Sequence, residues 1–217
     1  MLEVINLACI RGGRTLFGDL NFSIPAGTFV QVTGGNGTGK TSLLRTLCGL
    51  LPPERGEVRW QGTDIRKLGE DFATSLTYLG HRNGIKEELT ALENLRVSCG
   101  LAGSKLTRDQ AKDALTKIGL AGKEDLPARF LSEGQRRRAA LARLVTSDAT
   151  LWVLDEVLAS LDTAAVGFVN SLLEKHLSNG GIAVVATHQE LNVSAGSFQR
   201  LQLGEVAGSA GPIESHS

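Results

Sequence analysis

Cysteine is scarce in this sequence, net charge is absent, and no long apolar run occurs. The three cysteines, Cys9, Cys48 and Cys99, lie far apart with no Cys-x-x-Cys spacing. That favours free thiols in a reducing compartment over a disulfide framework or a zinc site. Lys plus Arg and Asp plus Glu both number 23, so no global field points to DNA, RNA or an anionic membrane surface. No stretch approaches the ~18 apolar residues of a membrane span. The opening MLEVINLACI has no basic segment and no small-residue cleavage site, so a first strand is expected there rather than a signal peptide. No internal repeat is visible. What remains is a chain of 217 residues, 41% hydrophobic and 21% charged. It reads as a soluble, cytosolic globular protein with room for one core carrying an inserted subdomain.

Short strand-like stretches fill the first third: LEVINLACI, FSI, TFVQV and GEVRWQG, separated by Gly and Pro turns. TSLLRTLCGL then has helical apolar spacing, with Gly49 near its end and Pro52-Pro53 beyond. From about Asn83 to Val145 the pattern is helical, in TALENLRVSCGL, TRDQAKDALTKIGL and SEGQRRRAALARLV. Two buried-strand candidates follow, TLWVLDE and GIAVVATH, with a helix between them from about Thr163 to Leu177. This order predicts an α/β fold with a helical insertion. One domain is expected over 1–217: a catalytic core over about 1–80 and 145–205, a helical subdomain over about 82–144, and a small, polar, flexible tail over about 206–217.

Gly34, Gly39, Lys40 and Thr41 fit the pattern G-x-x-x-x-G-K-[ST]. The glycines let successive backbone N–H groups of Gly34, Gly35, Asn36, Gly37, Thr38 and Gly39 converge on phosphate oxygens. The following helix adds its positive dipole end, with Ser42 in its first turn. Lys40 can reach the β- and γ-phosphates, and the Thr41 hydroxyl can ligate Mg²⁺. The loop is therefore expected to hold a nucleotide. The strand TLWVLDE delivers Asp155 and Glu156 to its C-terminal edge, where ligands gather in open α/β sheets. Asp155 would hold Mg²⁺ and Glu156 would orient or deprotonate the attacking water, which favours a hydrolase over a simple binder.

Ser132 is a good N-cap, and the amides near Glu133, Gly134 and Gln135 open a second helix N-terminus suited to phosphate. Here the sequence resembles the ABC-type ATPases: Leu131-Ser132-Glu133-Gly134-Gln135 looks like their signature, Ala159–Asp162 is similar to their D-loop, and His188 matches their switch histidine. The resemblance implies a P-loop fold with a mixed sheet core, an antiparallel β subdomain and an inserted helical subdomain. It also implies a head-to-tail homodimer with two ATP molecules between subunits. Lys40, Thr41, Asp155, Glu156 and His188 of one subunit would face Ser132 and Gly134 of the other, with Asp162 near the dimer axis. The run Arg136-Arg137-Arg138 cannot form one basic face, because consecutive helical residues point about 100° apart. Partner contacts, subunit contacts or helix solvation explain it better than nucleic acid.

Three departures from that family stand out. The place of its adenine-stacking aromatic holds Ile10-Arg11-Gly12, so Arg11 offers a guanidinium to the base or the platform is weaker. His81 stands where the Q-loop glutamine is usual, either as a hydrogen-bonding group near phosphate or metal-bound water or as a hinge. Val157 replaces the proline after the carboxylate pair, which leaves the chemistry untouched. GHRNGIK, LTALENL, TLWVLDE and THQELNV resemble one subfamily, the ATP-binding subunits of cytochrome c biogenesis haem exporters. That implies integral membrane subunits as partners, a location on the cytoplasmic face of the bacterial inner membrane, and release of a haem-loaded chaperone driven by ATP. No haem site of its own is expected, since His81, His176, His188 and His216 are scattered and no Cys-x-x-Cys-His occurs. An ATPase for another cargo is the main alternative. A small-molecule kinase would need an acceptor lid but no signature motif, and a pure ATP clamp would not need Glu156.

Overall fold

A computed structural model describes residues 1–159, 161–187, 189, 191, 193–204 and 214–216, the last three as backbone. The elements run β1 (Leu2–Arg11), β2 (Arg14–Ile24), β3 (Thr28–Thr33), α1 (Lys40–Leu47), β4 (Arg55–Trp60), β5 (Thr63–Asp64), α2 (Ile65–Leu68), α3 (Glu70–Thr74) and β6 (Leu76–Leu79). They continue α4 (Ala91–Leu101), α5 (Arg108–Lys117), a 3₁₀ turn (Ala128–Phe130), α6 (Glu133–Val145), β7 (Leu151–Asp155), α7 (Thr163–Ser178), β8 (Ile182–Ala186), β9 (Ser197–Gln202) and β10 (Glu214–His216). Two compact units divide the chain, one of Met1–Tyr78, Ala149–Glu156 and Glu174–Ser217, the other of Leu79–Asp148 and Val157–Leu173.

In the first unit β3 pairs in parallel with both β8 and β9, and β7 pairs in parallel with β8. The whole sheet runs β10-β9-β3-β8-β7-β6, with β10 antiparallel to β9. Every residue of β7 and β8, and all of β3 but its last, is buried. That explains their unbroken apolar runs: a parallel strand covered on both faces has no polar side to alternate with. The second sheet, β2-β1-β4-β5, is antiparallel. Its inward residues Leu2, Val4, Phe17, Leu20 and Trp60 join Leu43, Leu44 and Leu47 of α1 and Val30, Val153 and Val184 of the parallel strands in one core. Because β3, β7 and β8 run in parallel, their C-terminal ends emerge at one edge, delivering the Gly34–Gly39 loop, Glu156 and Thr187 there.

The second unit is helical among its described residues. Thr90, Thr107 and Ser132 each cap a helix and each has its reciprocal partner three residues on, Glu93, Gln110 and Gln135. These capping boxes satisfy two otherwise orphaned amides per helix and set where α4, α5 and α6 begin. Leu92, Leu95, Leu115 and Leu141 fill the interior. Buried Asn94 accepts from the Lys86 amide at 2.8 Å and donates to the carbonyls of Lys86 and Thr90, each at 2.9 Å. One α4 side chain thus pins the segment that follows His81.

The α/β fold with a helical insertion is as the sequence predicts. Strand β2 is longer than FSI, and β6 and β9 are additional. All three cysteines are buried and unpaired. The expected tail lies largely outside the described residues.

Candidate nucleotide site

The loop between β3 and α1 depends on glycine at particular places. Gly34 has φ +145°, and a Cβ there would come within 2.6 Å of the Leu203 carbonyl oxygen. Gly39 has φ +101°, and its Cβ would meet Leu16 Cβ at 3.0 Å. Both positions combine a left-handed backbone with close neighbours, which no other residue tolerates without displacement. Among the described residues no side chain caps α1, and no acidic residue lies in its first turn. The amides of that turn and the dipole behind them therefore stay available to an anion.

Lys40 is 6% exposed. Its Nζ donates to the carbonyls of Gly34 at 2.8 Å and Gly35 at 3.0 Å. The Thr38 hydroxyl donates to Gly35 O at 2.9 Å, closing the loop on itself. Leu16, Asn36, Gly37, Gly39, Lys40, Thr41, Ser42 and Glu156 line a cleft of about 250 Å³, smaller than the ~300–1,000 Å³ of a pocket that encloses a whole ligand. A volume of this size suits a phosphate group rather than a whole nucleotide.

Asp155 ends β7 and is 1% exposed. Glu156 follows with φ +53°, a left-handed conformation that strains a residue bearing a side chain. Its N–H donates to Ala186 O at 2.9 Å, extending the β7–β8 ladder one residue past the strand and turning the carboxylate-bearing residue into the cleft. Burial, with the charge of Asp155 behind it, pushes the Cys48 thiol up. Burial also raises the Tyr78 phenol, which Arg45 opposes and Asp155 reinforces. Thr41 supplies a hydroxyl in the cleft, and Asp155, directly before cleft-lining Glu156, a carboxylate; both are hard oxygen donors of the type Mg²⁺ selects. Among the described residues no three His, Cys, Asp or Glu side chains cluster as a metal site. A cation here would take its remaining ligands from phosphate and water.

Arg11 is not one of the described cleft-lining residues. Its guanidinium lies beside the Cys9 thiol, where it opposes the upward push of burial. Leu16, unmarked in the sequence, lines the cleft instead. Ser132, Glu133, Gly134, Gln135, His81 and Asp162 belong to the second unit. The Ser132 hydroxyl accepts from the Gln135 amide at 3.2 Å, and Gln135 Oε1 accepts from the Ser132 amide at 3.0 Å. His81 is exposed, and its carbonyl accepts from Arg137 at 3.0 Å. Asp162 pairs with Arg138. His188 and Ser160 lie outside the described residues.

A family profile described as "ABC transporter" matches residues 17–159. The cytochrome c biogenesis ATP-binding export protein CcmA of Nitrosomonas europaea is 56% identical over 203 residues, covering 94% of this chain and 95% of that one. The chain belongs to the CcmA family of ABC transporter ATP-binding proteins. CcmA of Nitrosospira multiformis is 54% identical over 202 residues, 93% of this chain and 98% of that one. A dimeric ATP-binding cassette solved in a post-hydrolysis state with ADP and Pi superposes with a TM-score of 0.84 over 99% of this chain and 98% of its own. At 23% identity that likeness concerns the fold. As a CcmA-family ABC ATPase the chain binds nucleotide and hydrolyses ATP. Among the described residues no helix is long and apolar enough to cross a membrane.

Proposed function

We infer that this CcmA-family chain is the ATP-hydrolysing subunit of a transporter for cytochrome c biogenesis. It works as a homodimer bound to integral membrane subunits on the cytoplasmic face of the bacterial inner membrane. There its turnover energises haem delivery, including release of a haem-loaded chaperone. The near full-length identity to CcmA proteins carries the assignment. The P-loop cleft with Glu156 at its rim supports the chemistry.

The residues divide the work. The backbone from Gly34 to Gly39 and the first turn of α1 receive the phosphates, and Lys40 leaves its loop carbonyls for the β- and γ-phosphate oxygens. Thr41 and Asp155 would hold Mg²⁺, which when bound would neutralise phosphate charge. Glu156 orients the attacking water and accepts its proton, with His188 in the family's role of switch histidine. Ser132 and Gly134, supported by Glu133 and Gln135, complete the partner subunit's site, and Asp162 links the two. His81 couples the site to the membrane subunits, a cytoplasmic element of which docks on the stretch around His81 to Leu89 and the helices that follow.

Recovery of the Glu156→Gln protein from its native membranes with ATP, followed by identification of what it retains, tests the assignment. Haem-handling membrane subunits of cytochrome c maturation are expected. A different permease would overturn the cargo and leave the ATPase chemistry standing.

A further inference from the structure

The three arginines after the signature motif point in different directions, and two of them are engaged inside the second unit. Arg137 is 8% exposed and donates from Nη1 to the His81 carbonyl at 3.0 Å. Arg138 pairs through Nη2 with Asp162 Oδ2. The other oxygen of that carboxylate, Oδ1, accepts from the Ala165 amide at 2.9 Å, and the Asp162 carbonyl accepts from Val166 at 3.0 Å. Asp162 is therefore the N-terminal cap of α7, with each carboxylate oxygen committed to a different element. Gly119, just past α5, sits against the same guanidinium: a Cβ there would lie 2.9 Å from Arg138 Nη1. The Arg138 side chain is three-quarters covered, with 25% exposed.

We propose that Arg138 is a positioning residue for ATP hydrolysis, fixing Asp162 through its ion pair so that α6 and the start of α7 respond as one body. Ser132 caps α6, and Arg138 lies six residues on, roughly 9 Å along the helix at 1.5 Å per residue. A shift of the capped end is therefore carried rigidly to the guanidinium and from there to the Asp162 carboxylate. Arg137 gives the same helix a second attachment, at the His81 backbone. A planar guanidinium suits this task because it holds the carboxylate in a fixed orientation, which an ammonium does not. The inference rests on the reading of Ser132–Gln135 and Asp162 as elements that meet the partner subunit's nucleotide.

The test is steady-state ATP hydrolysis by the full-length protein, with ATP affinity and Tm measured on the same samples. Arg138→Gln and Asp162→Asn are each expected to lower kcat about tenfold and to leave ATP affinity and KM within about twofold. The double variant should be no slower than either single one, because both remove one interaction. Arg138→Lys should recover part of the loss. An unchanged kcat, losses that multiply in the double variant, or a loss of kcat that follows a matching fall in Tm would overturn the inference. Should Arg138→Gln not fold, Arg138→Lys carries the test: it keeps the charge and loses the fixed fork, so kcat should fall by less than about tenfold at unchanged Tm, and an unchanged kcat would overturn the inference. Wild-type turnover with unaffected variants sinks this inference alone, whereas no turnover in the wild type sinks the ATPase reading beneath it.

Discussion

Lys40 is buried with Nζ held by the Gly34 and Gly35 carbonyls, where the proposed function brings phosphate oxygens. Binding exchanges two neutral acceptors for charged ones, a gain that no uncharged side chain reproduces. Lys40→Ala should reduce ATP turnover on the order of 10²–10³-fold, the range seen on removing one donor aimed at developing charge, as read by phosphate release. Glu156 separates stability from activity. Its left-handed backbone, φ +53°, costs about 1–2 kcal/mol for a residue with a Cβ, while glycine loses roughly 0.5–1 kcal/mol in chain entropy. Glu156→Gly should therefore leave Tm unchanged or slightly raised while hydrolysis stops; a large fall in Tm would show that the conformation is unstrained. The loop around Lys40 was legible because its motif is contiguous. The strain at Glu156 was not, since it comes from the ladder bond to Ala186, 30 residues along the chain.

Helix starts in the second unit were legible for a local reason: Thr90, Thr107 and Ser132 each precede a Glu or Gln by three residues. Strand β6, four residues long, and β9, with its polar sequence SFQRLQ, carry too little apolar signal to be read alone. The same capping chemistry should have different consequences at different helices. Thr107→Ala should lower stability by about 1 kcal/mol with kcat intact, because α5 carries no phosphate-facing residue. Ser132→Ala should lower both, as followed by denaturant unfolding beside an ATPase assay. The β7–α7–β8 unit adds a pH response. The His176 ring stacks on Trp152 at 4.0 Å, and its Nε2 lies 3.1 Å from the Ile182 carbonyl, which can only accept, so the proton sits on Nε2. Burial lowers the His176 pKa, outweighing the bond to Ile182. The unfolded chain, with a histidine pKa of about 6.5, therefore binds the proton more readily than the folded one. Stability from this group is complete above that value and is lost as pH falls toward the depressed folded value. Thermal melts should show Tm falling as pH drops below about 6.5, with a shallower slope in His176→Gln.

Across the whole molecule, what the sequence revealed and what it concealed follow contact distance. The P-loop, the Asp155-Glu156 pair and the signature each lie within a few consecutive residues, so spacing alone exposes them. Arg138 with Asp162, and Arg137 with His81, join residues 24 and 56 positions apart, and only folding brings them together. The proposed dimer carries the same logic between chains. Each chain has one P-loop and one signature, and two such chains related by a twofold axis complete two sites without any further element. With 23 basic and 23 acidic residues, no net charge opposes association, so bound nucleotide should decide the equilibrium. Glu156→Gln keeps the phosphate ligands and removes the group that accepts the water's proton, so ATP should accumulate uncleaved. Light scattering should then show twice the monomer mass with ATP and the monomer mass with ADP. Moderate changes in salt should shift the balance little, because in the proposed sandwich the signature contacts would be buried between subunits and no long-range repulsion is there to be screened. A monomer at saturating ATP would remove the sandwich and, with it, the roles given to Ser132, Gly134 and Asp162.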